Sequence, residues 1–368
     1  MQSIKIKTGQ GSAVVEYDLL IGRELLKSFR SFFNFEKYSK LLLVADEGIK
    51  NQIWFADFCA ALKSDVGGDL PLLYTAAGEK SKTLDSAAAL WKQMQELGVN
   101  RKTLTISIGG GAVCDLNGFV SGTFMRGLDF VHVPTTLLSQ VDASIGGKVG
   151  INFAEIKNLI GVFAQPAAVI IDIDTLSTLP DRELNAGFAE VIKHGLIRDK
   201  TYYNKVKSAA EHRKNSEFLE ETILQSCRIK ADVVRKDVKE AGMRKILNFG
   251  HTIGHALESI SQRLPEPLLH GEAVALGMIA EAKISEFLGF LDHKEVLDIE
   301  QTVRTYDLPA RIKFTVEHEE LMDKIRSDKK NTGAQVNWTL LAKIGKANFD
   351  QQVSQDQIKE AVKYITHE

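Results

Sequence analysis

The stretch ISIGGGAVCDLNGF (residues 106–119) decides the fold. A short aliphatic run enters Gly109, Gly110 and Gly111, and a helical pattern begins at about Ala112. An apolar strand that stops at glycines and continues as a helix is the unit of a parallel sheet covered by helices. Such glycines also let backbone N–H groups approach a phosphate at a helix N-terminus, where the dipole favours anions. The spacing is not G-x-G-x-x-G, so the same residues also suit a plain strand-to-helix turn.

Outward from this stretch the pattern repeats. KLLLVAD (40–46), LPLLYTA (70–76), FVHVP (130–134) and AVIIDID (168–174) read as further strands, and TLDSAAALWKQMQELG reads as an amphipathic helix stopped by Gly98. After LSTLPDRELN the rhythm becomes helical, through AGFAEVIKHGLI, SEFLEETILQSCRIKADVVRKD, GHTIGHALESI, GEAVALGMIAEAKISEFLG and the capped tail SQDQIKEAVKYITHE. One stretch, QVNWTLLAKIGKANF, suits a hairpin within this half. Two domains are therefore expected, 1–176 as a Rossmann-like α/β domain and 177–368 as a helical one; no internal repeat stands out.

Composition narrows the function. The 368 residues are 44% apolar and 26% charged with a formal net charge of -2, which argues against nucleic-acid or membrane binding by bulk electrostatics. Cys59, Cys114 and Cys227 lie far apart, so neither a thiolate zinc site nor a disulfide framework is suggested. The first residues, MQSIKIKTGQ, alternate like a half-buried strand and lack the apolar run of a signal peptide, and no stretch is long enough to span a membrane. A reducing, cytoplasmic location is the expectation.

Chemistry concentrates in a few places. Asp46 ends a strand, where a carboxylate can bond ribose hydroxyls, although a solvated loop Asp looks the same. VPTTLLSQVDASIGGKVGIN packs Thr135, Thr136, Asp142, Gly146, Gly147 and Lys148 beside a strand end, a density that packing alone does not explain. In RKILNFGHTIGHALESI (244–260), a helix starting near Arg244 places Asn248, His251 and His255 at about +40°, -20° and +20° from it, on one narrow face. An i, i+4 histidine pair is a feasible metal clamp, and it is also found among surface and core-satisfied histidines. Glu190, one turn from Lys193, and His270 add a carboxylate and a third imidazole. One carboxylate and two imidazoles make a three-ligand site with positions left open, as catalytic zinc requires. Three histidines offer more than one such set, and spacing does not choose among them. Arg126, Lys148, Lys193, Lys230 and Arg244 stand beside glycines or apolar residues; singly each reads as a surface charge, and together they suggest an anionic, phosphorylated substrate.

These motifs, in order along most of the chain, resemble 3-dehydroquinate synthase. The likeness is densest from GGGAVCDLNGFVSGTFMRGLDFVHVPTTLLSQVDASIGGKVGIN, through KNLIGVFAQPAAVIIDIDTLSTLPDRELNAGFAEVIKHGLI, to LNFGHTIGHALE and LHGEAVALGM. The resemblance implies an NAD-binding Rossmann-like domain, a helical domain carrying zinc or cobalt, and commonly a homodimer. It implies conversion of 3-deoxy-D-arabino-heptulosonate 7-phosphate to 3-dehydroquinate and phosphate, in the shikimate pathway.

By matching position, the resemblance makes Glu190, His251 and His270 the metal ligands. Asp142, Lys148, Asn158, Lys193, Lys230, Arg244, Asn248 and His255 grip the substrate, with Arg126 at its phosphate and Lys329 or Lys330 of SDKKNTG as a late contact. Glu240 and His255 match proton acceptors, and Lys148 and Asn248 stand with them as catalytic candidates. Asp46, Glu79, Lys82, Gly110, Gly111, Asp115, Thr135, Thr136, Lys157, Thr175 and Thr178 correspond to the NAD site. Two departures stand out: Val149 where the family usually has Thr, implying a changed hydroxyl contact, and Ala186 where some members carry Asn. Other sugar-phosphate cyclases and a metal-dependent polyol dehydrogenase of related fold are the nearest alternatives; a non-catalytic nucleotide-binding protein would not need the His, Glu and Lys set.

Overall fold

The computed structural model describes residues 1–8, 15–32, 35–154, 156–329 and 336–366. The chain divides into two compact units, Met1–Pro180 with Leu219–Ala231, and Asp181–Phe218 with Asp232–Glu368. The change of rhythm reads as a boundary at 176/177, and the first unit here runs to Pro180. The return of Leu219–Ala231 to the first unit has no counterpart in the sequence pattern, because that stretch lies inside one uninterrupted amphipathic helix.

The first unit is built on a seven-stranded sheet. Strands β1 (Gln2–Thr8), β2 (Val15–Gly22), β3 (Lys40–Asp46), β4 (Leu72–Thr75), β5 (Thr103–Gly109) and β6 (Asp129–Pro134) precede a separate hairpin of β7 (Lys148–Phe153) and β8 (Ile156–Phe163), and β9 (Ala168–Asp172) completes the sheet. The order is β1-β2-β9-β6-β5-β3-β4, parallel except for the antiparallel β1–β2 pair. Strands β3 and β5 are buried on both faces, which explains why they read as continuous apolar runs rather than alternations. Helix α1 (Ile53–Val66) contributes Phe55, Phe58 and Leu62 to one core cluster. Helices α2 (Leu84–Glu96) and α3 (Gly111–Thr123) contribute Leu90, Met94, Leu116 and Val120 to another. The Thr83 hydroxyl accepts from Ser86 N and caps α2, and Gly98 at φ 63° ends the turn after it.

The second unit is mainly helical. Its helices are α4 (Asp181–Arg198), α5 (Lys200–Ser208), the two ends of α6 (Ser216–Lys236), α7 (His251–Ser261), α8 (His270–Phe287), α9 (His293–Thr305), α10 (His318–Lys329) and α11 (Gln355–Thr366). An antiparallel hairpin of β10 (Trp338–Lys343) and β11 (Lys346–Gln351) lies where the sequence suggested one. Helices α4 and α8 are buried for most of their length, which their run of small and aliphatic residues permits. No helix among the described residues is long and apolar enough to cross a membrane.

Candidate active site

In the first unit five of the nucleotide candidates, Asp46, Gly110, Gly111, Thr135 and Thr136, lie where strand order reverses. The chain proceeds from β3 outward to β4 and then returns to β5 on the other side of β3. Ligands bind at the carboxyl ends of strands at such a switch point. Asp46 ends β3 and Gly109 ends β5, and a Cβ at Gly109 would lie 2.8 Å from that of Asp46 and 2.7 Å from Val113 Cγ1. Gly109 also takes φ 146°, so only glycine suits it. Helix α3 begins at Gly111, one residue earlier than its pattern suggested, with no side-chain cap at Gly110. A Cβ at Gly110 would crowd Thr136 at 3.3 Å, and one at Gly111 would meet Ala143 at 2.9 Å. These positions exclude a side chain, and a helix start with no side-chain cap is the kind of backbone site that suits a pyrophosphate.

The surrounding polar groups are held rather than loose. Asp46 accepts from Gly48 N at 2.7 Å and Gly78 N at 3.3 Å. Thr135 N donates to Gly109 O, and the Thr136 and Ser139 hydroxyls lie 2.9 Å apart. Thr175 Oγ1 donates to Asp172 O at 2.7 Å, and Thr178 Oγ1 accepts from Trp54 Nε1 at 3.0 Å. Buried Lys82 donates to Asp115 at 2.8 Å and also to Asn158 Oδ1, while Asn152 donates to Glu79 at 2.8 Å and accepts from Asn158 N at 2.9 Å. Burial alone lowers the Lys82 pKa, and the Asp115 and Glu79 charges more than offset it, so the ammonium is kept. Lys82 thus joins the expected NAD residues Glu79 and Asp115 to Asn158, expected at the substrate. Asn152, which the sequence did not single out, completes the link.

Lys230, also nearly buried, pairs with Asp142 Oδ1 at 2.6 Å and donates to its carbonyl at the same distance. Lys148 and Arg126 are exposed and Lys157 is partly so. Arg126 sits in a turn in which Met125, Arg126 and Gly127 all have positive φ, at 51°, 72° and 121°. Val149 faces inward, into the core against Gly118, so the departure at this position changes packing rather than a hydroxyl offered to a ligand.

In the second unit α4, α7 and α8 bring a carboxylate and three imidazoles together. Glu190 and Lys193 lie one turn apart on α4, both buried, and form an ion pair. The Glu190 carboxylate accepts no hydrogen bond among the described residues. Its Oε1 lies 3.6 Å from His251 Nε2 and 4.0 Å from His270 Nε2. Two donors about 2.1 Å from one tetrahedral ion are roughly 3.4 Å apart, so these separations fit a shared metal. His251 Nδ1 lies 3.2 Å from Phe249 O and His270 Nδ1 3.3 Å from Glu258 Oε2. A carbonyl can only accept, so in His251 the proton sits on Nδ1 and the lone pair on Nε2. Burial, then the charges of Lys193, His255 and His270, hold the His251 pKa well below its ordinary value, which keeps the ring neutral and able to ligate. His255 stands beside both, its ring centroid 5.1 Å from His251 and 5.7 Å from His270, and the three imidazoles also lie close enough to form a set of their own.

The single helical stripe expected from Arg244 to His255 is not present. Met243–Asn248 is a 3₁₀ turn, Phe249 is extended, and Gly250 takes φ 81°, so α7 begins only at His251. The break is required because Gly250 passes close to α8: a Cβ there would meet Met278 Cγ at 2.6 Å. Arg244 Nη1 donates to Val238 O at 2.6 Å and its backbone N donates to Asp237, while Asn248 Nδ2 donates to Glu240 Oε1 at 2.6 Å. Glu240 itself has φ 59°. Lys329 ends α10, and Lys330 lies outside the described residues. Two carboxylates escaped the sequence reading, Glu258 and Glu281, both buried on the histidine helices themselves. A spacing signal existed for each, since Glu258 is seven residues after His251 and Glu281 eleven after His270, both within about 20° of the histidine's face.

Residues 72–186 fit the family model for the 3-dehydroquinate synthase N-terminal domain, and residues 187–331 fit that for its C-terminal domain. The chain belongs to the 3-dehydroquinate synthase family. A 3-dehydroquinate synthase from Rippkaea orientalis is 41% identical, with the match covering 87% of each chain. One from Thermodesulfovibrio yellowstonii is 34% identical over 98% of this chain and 99% of its own. Among solved structures, a 2-deoxy-scyllo-inosose synthase complexed with carbaglucose-6-phosphate, NAD+ and Co2+ superposes with a TM-score of 0.86 at 25% identity, covering 98% of this chain and 99% of its own. Within the 3-dehydroquinate synthase family frame, the glycine cradle falls in the N-terminal match, and Glu190, His251 and His270 fall in the C-terminal one.

Proposed function

We propose that this chain is a lyase that converts 3-deoxy-D-arabino-heptulosonate 7-phosphate to 3-dehydroquinate and phosphate, using NAD and a divalent metal. The observation that carries the reading is the buried Glu190 carboxylate, paired through Oε2 with Lys193 and with Oε1 facing Nε2 of His251 and His270. Glu190, His251 and His270 hold the metal. The Gly109–Gly111 start of α3 takes the NAD pyrophosphate, with Asp46, Glu79, Lys82, Asp115, Thr135, Thr136, Lys157, Thr175 and Thr178 around the nucleotide. When bound, the metal supplies Lewis acidity toward adjacent substrate oxygens and the nucleotide supplies reversible hydride transfer.

The chain's own groups bind, orient and move protons. Arg126, Lys148, Lys193, Lys230 and Arg244 supply positive charge for the phosphate and carboxylate, and Asp142, Asn158 and Asn248 direct hydroxyls. His255, beside the proposed ligands without being one, transfers the proton of the hydroxyl that is oxidised, and Glu240 serves as a second acceptor, placed by its bond to Asn248. A phosphate oxygen held by the cationic side chains takes the proton lost in β-elimination. After re-reduction and ring opening, an intramolecular aldol closes the carbocycle, and oriented binding accounts for most of what the protein contributes there.

In this reading the protein works in the cytoplasm, and as a homodimer, as the resemblance drawn from its motifs implies. The deciding assay incubates the protein with the heptulosonate phosphate, NAD and zinc or cobalt. The expected result is phosphate release matched mole for mole by dehydroquinate, with no net NADH absorbance. Accumulating NADH would indicate a dehydrogenase instead.

A further inference from the structure

Helices α7 and α8 each carry one proposed metal imidazole, and each sends a buried carboxylate to the other helix. Glu258 of α7 lies with Oε2 3.3 Å from Nδ1 of His270, the first residue of α8. Glu281 of α8 is fully buried and accepts from Gly250 N at 2.6 Å and Ile253 N at 3.1 Å, on either side of His251. A helix start leaves its first N–H groups without intrahelical partners, and Gly250 has no side chain to cap them. Glu281 therefore caps α7 from a neighbouring helix.

The position is electrostatically pointed. The N-terminal end of a helix carries partial positive charge, which opposes a cation bound at its first residue. A carboxylate on that end offsets the opposition and fixes where His251 begins the helix. Glycines make the reach possible, since a Cβ at Gly277 would lie 1.9 Å from Gly250 O and one at Gly254 would lie 3.0 Å from Ala273 O. The two ties run in opposite directions between the same helices, one ending on a ligand ring and the other on the backbone that presents a ligand.

We propose that Glu258 and Glu281 form a reciprocal carboxylate clamp, positioning His270 and His251 for the divalent metal. The inference rests on the metal reading above and deepens it. The full-length protein, stripped by a chelator, is titrated with Zn2+ against a chromophoric competitor, and with Co2+ while its d–d absorption is recorded. Glu190→Gln serves as the ligand control and should lose tight binding. Glu258→Gln and Glu281→Gln should each weaken the Zn2+ dissociation constant roughly 10- to 100-fold and alter the Co2+ spectrum, as loss of a ligand's outer partner does. If Glu281→Gln does not fold, Glu281→Asp, which keeps the charge on a shorter arm, is read in the same way. Unchanged Zn2+ affinity in Glu190→Gln would overturn the metal assignment itself. Loss there with wild-type affinity and spectrum in the Glu258 or Glu281 variant would overturn the clamp at that residue and leave the metal assignment standing.

Discussion

His251 and His255 share a helix face but not surroundings. His251 has its Nδ1 on Phe249 O and its Nε2 toward Glu190, an arrangement that leaves one lone pair pointing at one place. His255 lies beside it within ring contact, on the far side from that carbonyl anchor in sequence. The expected outcome of His255→Ala is retained Zn2+ stoichiometry, measured by elemental analysis after dialysis, with turnover reduced on the order of 100-fold or more. Metal loss in that variant would put His255 among the ligands. Residue types and spacing made all three histidines visible in the sequence. In the proposed division of roles the deciding partner is Glu190, which comes from a separate helix, α4, and spacing along α7 carries no information about it.

Elements were more legible than junctions. The strands β3, β5 and β6 and the helix α2 fall within a residue or so of their patterns, because apolar runs and caps are local signals. The stretch 244–260 reads as one helix because its i, i+4 polar spacing is consistent with helix throughout, whereas the break occurs at close passage against α8. That contact is testable. Gly277→Ala would set a methyl 1.9 Å from Gly250 O, so the helices must separate. A destabilisation of about 3 kcal/mol, at the upper end of overpacking costs, is expected from urea unfolding, together with weaker Zn2+ binding because His251 and His270 move apart. An unchanged midpoint and unchanged affinity would show that the interface yields without cost.

The molecule as a whole should be acid-sensitive for a reason remote from catalysis. His132 on β6 is buried with Nδ1 2.6 Å from Ser107 Oγ, and burial pushes its pKa down to about 3 from 6.5. The folded pKa is the lower one, so as pH falls below 6.5 the unfolded chain takes up a proton that the folded chain refuses. Stability contributed by the neutral ring is thus complete above 6.5 and declines steadily toward pH 3. Between pH 7.5 and 5, the wild type should lose about 2 kcal/mol more than His132→Gln, as read from denaturant unfolding at each pH. Equal losses would show that this ring is protonated in the fold.

Sheet order also has a consequence in time. The β1–β2 hairpin, complete by Gly22, finds its partner in β9, where Asp18 pairs with Ala168 and Gly22 with Asp172. About 150 residues separate the two strands, which at 5–20 residues per second is roughly eight to thirty seconds of synthesis. During that interval the nascent hairpin has no sheet to join, and Leu19 and Ile21, both buried in the finished protein, are without cover. Chains halted before β9 has left the ribosome should accordingly be the ones that chaperones retain, whereas chains extended far enough to free Ala168–Asp172 should be able to seal that edge.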